Sequence, residues 1–167
     1  MIRLANDDDQ RYLAEACIRI CQHMQGSEAS PYVENLPTEV RLQELRWISS
    51  ILRDENSVAF VAETDQPGRQ SIGCIFGSIE KSHMPVAISE PIGHIKVCWV
   101  EPDCRGRGTG QQLVSAIQDW FANRGVTVLE VSWLCCNELA DHFWQQSGFR
   151  TVRVFGWKSL TLRNSAG

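Results

Sequence analysis

Apolar residues along this chain follow two rhythms, one of about 3.6 residues and one of two, and each change of rhythm marks an element boundary. Residues 1–4 read as a short strand, after which Asn6 or Asp7 can cap a helix. Tyr12, Leu13, Ala16, Cys17, Ile20 and Met24 then share one helical face. Residues 26–37 are polar and rich in breakers, which predicts a loop. A second helix from Pro37 or Thr38 to about Arg53 carries a main stripe of Leu42, Leu45, Ile48 and Leu52. Its second ridge, Val40, Trp47 and Ile51, either buries the helix on a second side or, with the loop around Tyr32, lines a cleft or a dimer contact.

Residues 57–63 and 71–81 predict a hairpin around the turn at 65–68. Residues 82–91, with His83, Met84 and two prolines, form a long connection of the kind that borders a site or lies on the surface. A central strand over 92–100 ends at Pro102, which cannot donate to a ladder. From Gln111 the residues Leu113, Val114, Ile117, Trp120 and Phe121 repeat as an amphipathic helix that stops at Arg124-Gly125. A strand over 126–133 follows, and the crossover makes it parallel to its predecessor. Asn137 can cap a short helix with Leu139, Ala140, Phe143 and Trp144 inward, ended by Gly148. Residues 149–154 and 157–162 read as two last strands. The expected fold is α+β of mixed α/β character: a single domain over residues 1–167, its central mixed sheet of about seven strands flanked by about four helices.

Composition narrows the class. The 43% hydrophobic and 22% charged fractions are those of a globular chain, with no apolar run of spanning length. The N-terminal stretch turns acidic at Asp7-Asp8-Asp9, where a signal peptide turns apolar, so a cytoplasmic location and no membrane partner are expected. A net charge of −4 argues against nucleic acid and suits a cationic small substrate. The seven cysteines include no CxxC pair, so neither a disulfide framework nor a metal site is expected. Most read as reduced, buried thiols, although Cys104 lies beside Arg105, where its reactivity could rise.

The most informative stretch is Arg105-Gly106-Arg107-Gly108-Thr109-Gly110, between the central strand and the helix after it. Glycines let several backbone N–H groups point at one anion, and the helix adds its positive end. The two arginines supply further charge. A plain turn would need neither the arginines nor such spacing. The order of glycines is not that of a dinucleotide fold, and no Gly-Lys-Ser/Thr follows.

Arg105-x-x-Gly108-x-Gly110, preceded by Val100-Glu101-Pro102, resembles the acetyl-CoA loop of the GNAT superfamily of N-acetyltransferases. Asn137-x-x-Ala140-x-x-Phe143-Trp144-x-x-x-Gly148-Phe149 is similar to a second block of that family, in the same order and spacing. The resemblance implies an acyltransferase that moves acetyl from acetyl-CoA to a primary amine by direct attack on the thioester, without a metal. It assigns the CoA to the loop Arg105, Gly106, Arg107, Gly108, Thr109, Gly110 and Gln111, with the pyrophosphate on backbone N–H groups from about Arg107 to Gln111 and with Arg105 and Arg107 adding charge at its edge. It assigns the pantetheine arm to Cys98, Trp99, Val100 and Asn137. The alternative is a non-catalytic acyl-CoA sensor or partner-binding domain of the same fold.

An attacking amine must lose a proton, so a base is needed. His94 stands where histone-type members of the family place a glutamate base; it can do that work or be a satisfied core histidine. Glu101 and Ser132 are weaker candidates, and Lys96 reads as solvated or ion-paired. The chain departs from the family at Trp144, where a tyrosine commonly protonates the leaving thiolate. An indole N–H donates a hydrogen bond but gives up no useful proton, which leaves the catalytic role of Trp144 open. The expected acceptor is a small-molecule or peptide amine, with Tyr32, Glu34, Glu44, Trp47 and Trp157 as wall residues. The resemblance also allows a homodimer.

Overall fold

The computed structural model describes residues 1–24, 38–65, 67–81 and 91–154, with side chains described except at Met24 and 38–44. Its order is β1 (Ile2–Leu4), α1 (Gln10–Met24), α2 (Thr38–Arg53), β2 (Ser57–Glu63), β3 (Ser71–Lys81), β4 (Pro91–Val100), α3 (Thr109–Ala122), β5 (Leu129–Val131) and α4 (Glu138–Gln146). Asn6 starts the first helical segment: its side chain accepts from the Asp8 N–H, its own N–H donates to Asp9, and a short 3-10 turn leads into α1.

The five strands form one sheet in chain order, antiparallel from β1 to β4, with β5 parallel to β4. Alternation along each strand divides the core in two. Ala59, Val61, Cys74, Phe76 and Trp99 pack with Leu13, Ala16 and Cys17 of α1 and Ile48 and Ile51 of α2. Val58, Ala62, Ile75 and Ile95 pack on the other side with Leu113, Val114, Ile117 and Phe121 of α3. Among the described side chains of α2, the second ridge packs as the main stripe does: Ile51 is buried, and Trp47 meets Phe76 edge-on at 5.4 Å.

The sheet differs from the expected seven strands. Among the described residues there are five, and the strand expected over 126–133 shrinks to Leu129–Val131. Residues 149–154 alternate in sequence but form no strand, and Val152 and Val154 are 92% and 88% exposed. Alternation predicts a face, whereas a strand also needs a partner edge. The strand expected at 157–162 lies outside the described residues, as do the 26–37 loop with Tyr32 and Glu34, most of the 82–91 connection, and Trp157. The side chain of Glu44 is likewise outside them. The glycine-loop helix begins at Thr109, two residues before the expected Gln111. No helix among the described residues is long and apolar enough to cross a membrane.

Candidate active site

The site is made by a fault in the sheet. Val97 pairs with Phe76 and Ile95 with Gly77, which leaves Lys96 as an extra residue in β4. Glycine is required opposite this bulge: a Cβ on Gly77 would come within 2.3 Å of the His94 carbonyl oxygen. On the other side of β4, β5 pairs only with Gly93, His94 and Ile95. Beyond that point the two strands part, and a cavity of about 460 Å³ opens between residues 95–100 and residues 131–134. Ala140, Phe143 and Trp144 of α4 form one wall. Ile20 and His23 of α1 also line it, a contribution that nothing in the spacing of α1 signals.

The glycine loop closes one end of this cleft. Gly106 and Gly108 take positive φ values of 73° and 81°, which other residues adopt only at a cost. Gly108 is the N-cap of α3 with no side-chain cap, and the first helical bond there is Gln112 N–H to Gly108 C=O. The N–H groups of Thr109, Gly110 and Gln111 thus have no acceptor within the helix. Gly110 serves another purpose, since a Cβ on it would lie 2.8 Å from the ring of Phe143. Its bareness lets α4 close on α3. Arg105 donates from Nε to the Val100 carbonyl at 2.9 Å and lays its guanidinium 4.9 Å from the Trp99 ring. The loop is therefore tied to the end of β4. Arg107 is exposed and does not line the cavity.

The other expected CoA positions, Cys98, Trp99, Val100, Arg105, Gly106, Gly108, Thr109, Gly110, Gln111 and Asn137, all line it. Asn137 also caps α4, accepting the Ala140 N–H at 3.1 Å. Burial pushes the Cys98 thiol up to about 12, which keeps it protonated. Cys104 lines the cavity half-buried.

Glu101 is committed elsewhere. It accepts from Tyr12 Oη at 3.1 Å and pairs with Arg19 at 2.5 Å, which joins α1 to the end of β4. Burial, with Glu101 nearby, pushes the Tyr12 hydroxyl above its ordinary range. Ser132 lines the cavity, and so does Lys96, which is ion-paired with Glu80. His94 lies one residue outside the lining stretch of β4, on the face turned to α1 and α2, where it pairs in register with Ser78 and Glu130. Its Nδ1 faces Glu80 Oε2 at 3.4 Å. Burial would raise the Glu80 carboxyl, but hydrogen bonds from Lys96 and Ser78 outweigh it and hold the group at about 2. Trp144 is buried, edge-on to Phe143 at 5.0 Å and Phe149 at 5.2 Å, and acts as wall and core together. Among the described residues, no group of three or more His, Cys, Asp or Glu could hold a metal ion.

A bare helix N-terminus at one end, an unpaired stretch of strand and an apolar wall fit a long thiol ester with a phosphate head. Comparison with known proteins agrees. The profile described as the acetyltransferase (GNAT) family matches residues 11–149. An aminoglycoside N(6')-acetyltransferase type 1 of Salmonella typhimurium is 28% identical over 109 residues, 65% of this chain and 73% of that protein. The apo crystal structure of aminoglycoside antibiotic 6'-N-acetyltransferase AAC(6')-IG from Acinetobacter haemolyticus aligns with a TM-score of 0.73 at 15% identity, over 98% of this chain and 99% of its own. AAC(6')-Iy, solved with a bisubstrate analogue of CoA and acetylneamine, aligns with a TM-score of 0.71 at 21% identity over 96% and 98%. At these identities the structural likeness shows the fold.

Proposed function

The chain belongs to the acetyltransferase (GNAT) family, and we propose that the amine it acetylates is a small polycation of the aminoglycoside kind. Its reaction is acetyl-CoA-dependent N-acetylation. The acceptor class is supported by the relatives, which are named for acetylating aminoglycosides. It is also supported by charge: Glu130 shares the His94 face of the sheet, and the whole chain carries −4.

The observation that carries the reading is the parting of β4 from β5 in front of the uncapped α3 N-terminus. We assign the CoA pyrophosphate to the N–H groups of Thr109, Gly110 and Gln111, with Arg105 and Arg107 at its edge. The pantetheine arm is assigned to Cys98, Trp99, Val100 and Asn137. Bound acetyl-CoA supplies the acyl group already activated as a thioester. The chain's own task is to deliver a neutral amine, because an ammonium has no lone pair. His94 is assigned that proton, reached directly or through water, and a backbone N–H at the β4 bulge is assigned to polarise the acyl oxygen. Trp144 shapes the wall, and the departing thiolate takes its proton from water. We read residues 1–167 as one catalytic domain acting in the cytoplasm, where its seven cysteines stay reduced.

Release of free CoA, followed with a thiol reagent across a panel of amines, tests this. Turnover is expected with aminoglycosides that carry a free 6'-amine and not with lysine-containing peptides. Turnover on peptides alone would overturn the acceptor class, and acetyl-CoA binding with no turnover on any amine would overturn the assignment of catalytic residues.

A further inference from the structure

Beyond Ile95 and Val131 the two parallel strands stop pairing, and residues 132–134 run on outside any strand. Parallel strands that face one another gain hydrogen bonds by closing, so a gap between them has to be held open. Trp133 is the side chain placed to do this. Its indole N–H donates to Asp141 Oδ1 at 3.0 Å, and Gln145 Nε2 donates to the other carboxylate oxygen at 2.8 Å. Asp141 and Gln145 both belong to α4, so the segment after β5 is tied to that helix and not to β4. The turn that follows adds a second tie: the Asn137 N–H donates to the Leu134 carbonyl at 2.9 Å, and Asn137 Oδ1 accepts the Ala140 N–H at 3.1 Å.

The helix α4 is itself fixed against the glycine loop. Gln111 Nε2 donates to Ser147 Oγ at 3.0 Å, and the Phe143 ring lies over Gly110. One helix thus sets the separation between the uncapped start of α3 and Trp133, and both border the cavity. Asp141 does not line the cavity, so it can act there only through Trp133. We propose that Asp141 is a positioning residue: by holding the Trp133 indole it keeps the end of β5 away from β4, and so keeps open the channel that takes the acyl-carrying arm of acetyl-CoA. This rests on the reading that the arm lies along residues 98–100. A carboxylate suits the task, because a hydrogen bond to a charged acceptor is stronger than one to a neutral group.

Calorimetric titration of wild type, D141A, D141N, W133F and the W133F/D141A double variant tests this, with two probes. One is acetyl-CoA, and the other is adenosine 3',5'-bisphosphate, which carries phosphates but no arm. D141A and W133F are each expected to weaken acetyl-CoA by about 10-fold, the scale of one charge-assisted hydrogen bond, and to leave the bisphosphate within about twofold. D141N, which keeps an acceptor in the same place, recovers most of that loss. The double variant binds no more weakly than W133F, because both substitutions break the same bond. In steady state the loss falls on the KM for acetyl-CoA, with kcat changed by less than about threefold. D141A binding acetyl-CoA as tightly as wild type overturns the proposal, and so does D141N binding no better than D141A. An equal loss on both probes also overturns it, since α4 as a whole would then have loosened. If wild type itself binds the bisphosphate as tightly as acetyl-CoA, the arm does not use this channel, and the reading beneath the proposal falls with it.

Discussion

Phe143 occupies the space that a side chain on Gly110 would need, 2.8 Å from the position of a Cβ there. The third glycine of the loop therefore sets the distance between α3 and α4, whereas Gly106 and Gly108 set backbone turns with open space around them. Gly110→Ala is expected to push α4 outward, destabilising the fold by about 1–3 kcal/mol and raising the KM for acetyl-CoA. Gly108→Ala meets no atom within 4 Å, so its cost is backbone strain of about 1–2 kcal/mol. Thermal unfolding of Gly110→Ala, Phe143→Leu and the double variant checks the contact. Phe143→Leu should recover part of the Gly110→Ala loss, and simple additivity would sink the idea.

Cys98 sits on the wall of the cleft as a thiol and not as a thiolate, since burial raises it to about 12. A nucleophilic cysteine needs the anion, so acetyl transfer through Cys98 is disfavoured against direct attack by the amine. Cys98→Ala should keep kcat within about threefold of wild type, the change a lost wall contact and not a lost nucleophile brings. Intact-protein mass after incubation with acetyl-CoA alone should show no acetyl group on this residue. A trapped acetyl-cysteine at position 98 would overturn the direct route.

Arg3 ties the N-terminal strand to the rest of the molecule by reaching two buried carboxylates at once. It donates to both oxygens of Asp9 at 2.7 and 2.8 Å and to Glu63 Oε1 at 2.6 Å. Arg3→Met leaves both carboxylates without this partner and is expected to cost about 3–5 kcal/mol near neutral pH. Burial would raise Asp9, but hydrogen bonds from Arg3 and the Asn6 N–H outweigh it and hold the carboxyl below its usual range. A carboxyl lowered in the folded state stabilises the fold above its unfolded pKa of about 3.9, and that contribution is lost as pH falls through the lower folded value. The Tm gap between wild type and Arg3→Met should therefore narrow as pH drops from 6 toward about 3. A gap that stays constant would mean the triad is not the cause.

The elements whose rhythm was unbroken were readable from sequence. The hairpin strands Ser57–Glu63 and Ser71–Lys81 fall where alternation places them, and α2 ends at Arg53 as its stripe implies. Residues 149–154 misled because alternation says nothing about whether a partner edge exists. Around the cleft, the glycine loop and Asn137 were legible because their geometry is local, whereas the rim from Ile20 and His23 depends on how α1 crosses the sheet. The link from Glu80 to His94 was hidden for a similar reason. It spans 14 residues and a strand pairing beside a bulge, whose one sign in the sequence is Gly77 opposite it. The sequence marks Gly110 as part of a phosphate cradle and does not show that the Phe143 ring lies over it.

Arg105 couples the loop to the strand through two different properties of one guanidinium. Its Nε donates to the last carbonyl of β4 at 2.9 Å while its plane lies over Trp99 at 4.9 Å. Lysine keeps the charge but has neither the fork nor the flat face. Arg105→Lys should therefore lose a hydrogen bond of about 0.5–1.5 kcal/mol and part of a cation–π contact of about 0.5–1 kcal/mol. With the loop end released, the KM for acetyl-CoA is expected to rise by about 5- to 10-fold, which corresponds to roughly 1–1.4 kcal/mol, with kcat changed much less. Arg107 is exposed and outside the cavity lining, so Arg107→Lys should leave that KM within about twofold, as for a rim charge that acts only as a charge. Steady-state kinetics on both variants at two salt concentrations separates the cases. If Arg105→Lys keeps the wild-type KM at both, charge alone suffices at position 105, and the tie between Arg105, Val100 and Trp99 is not what shapes the loop.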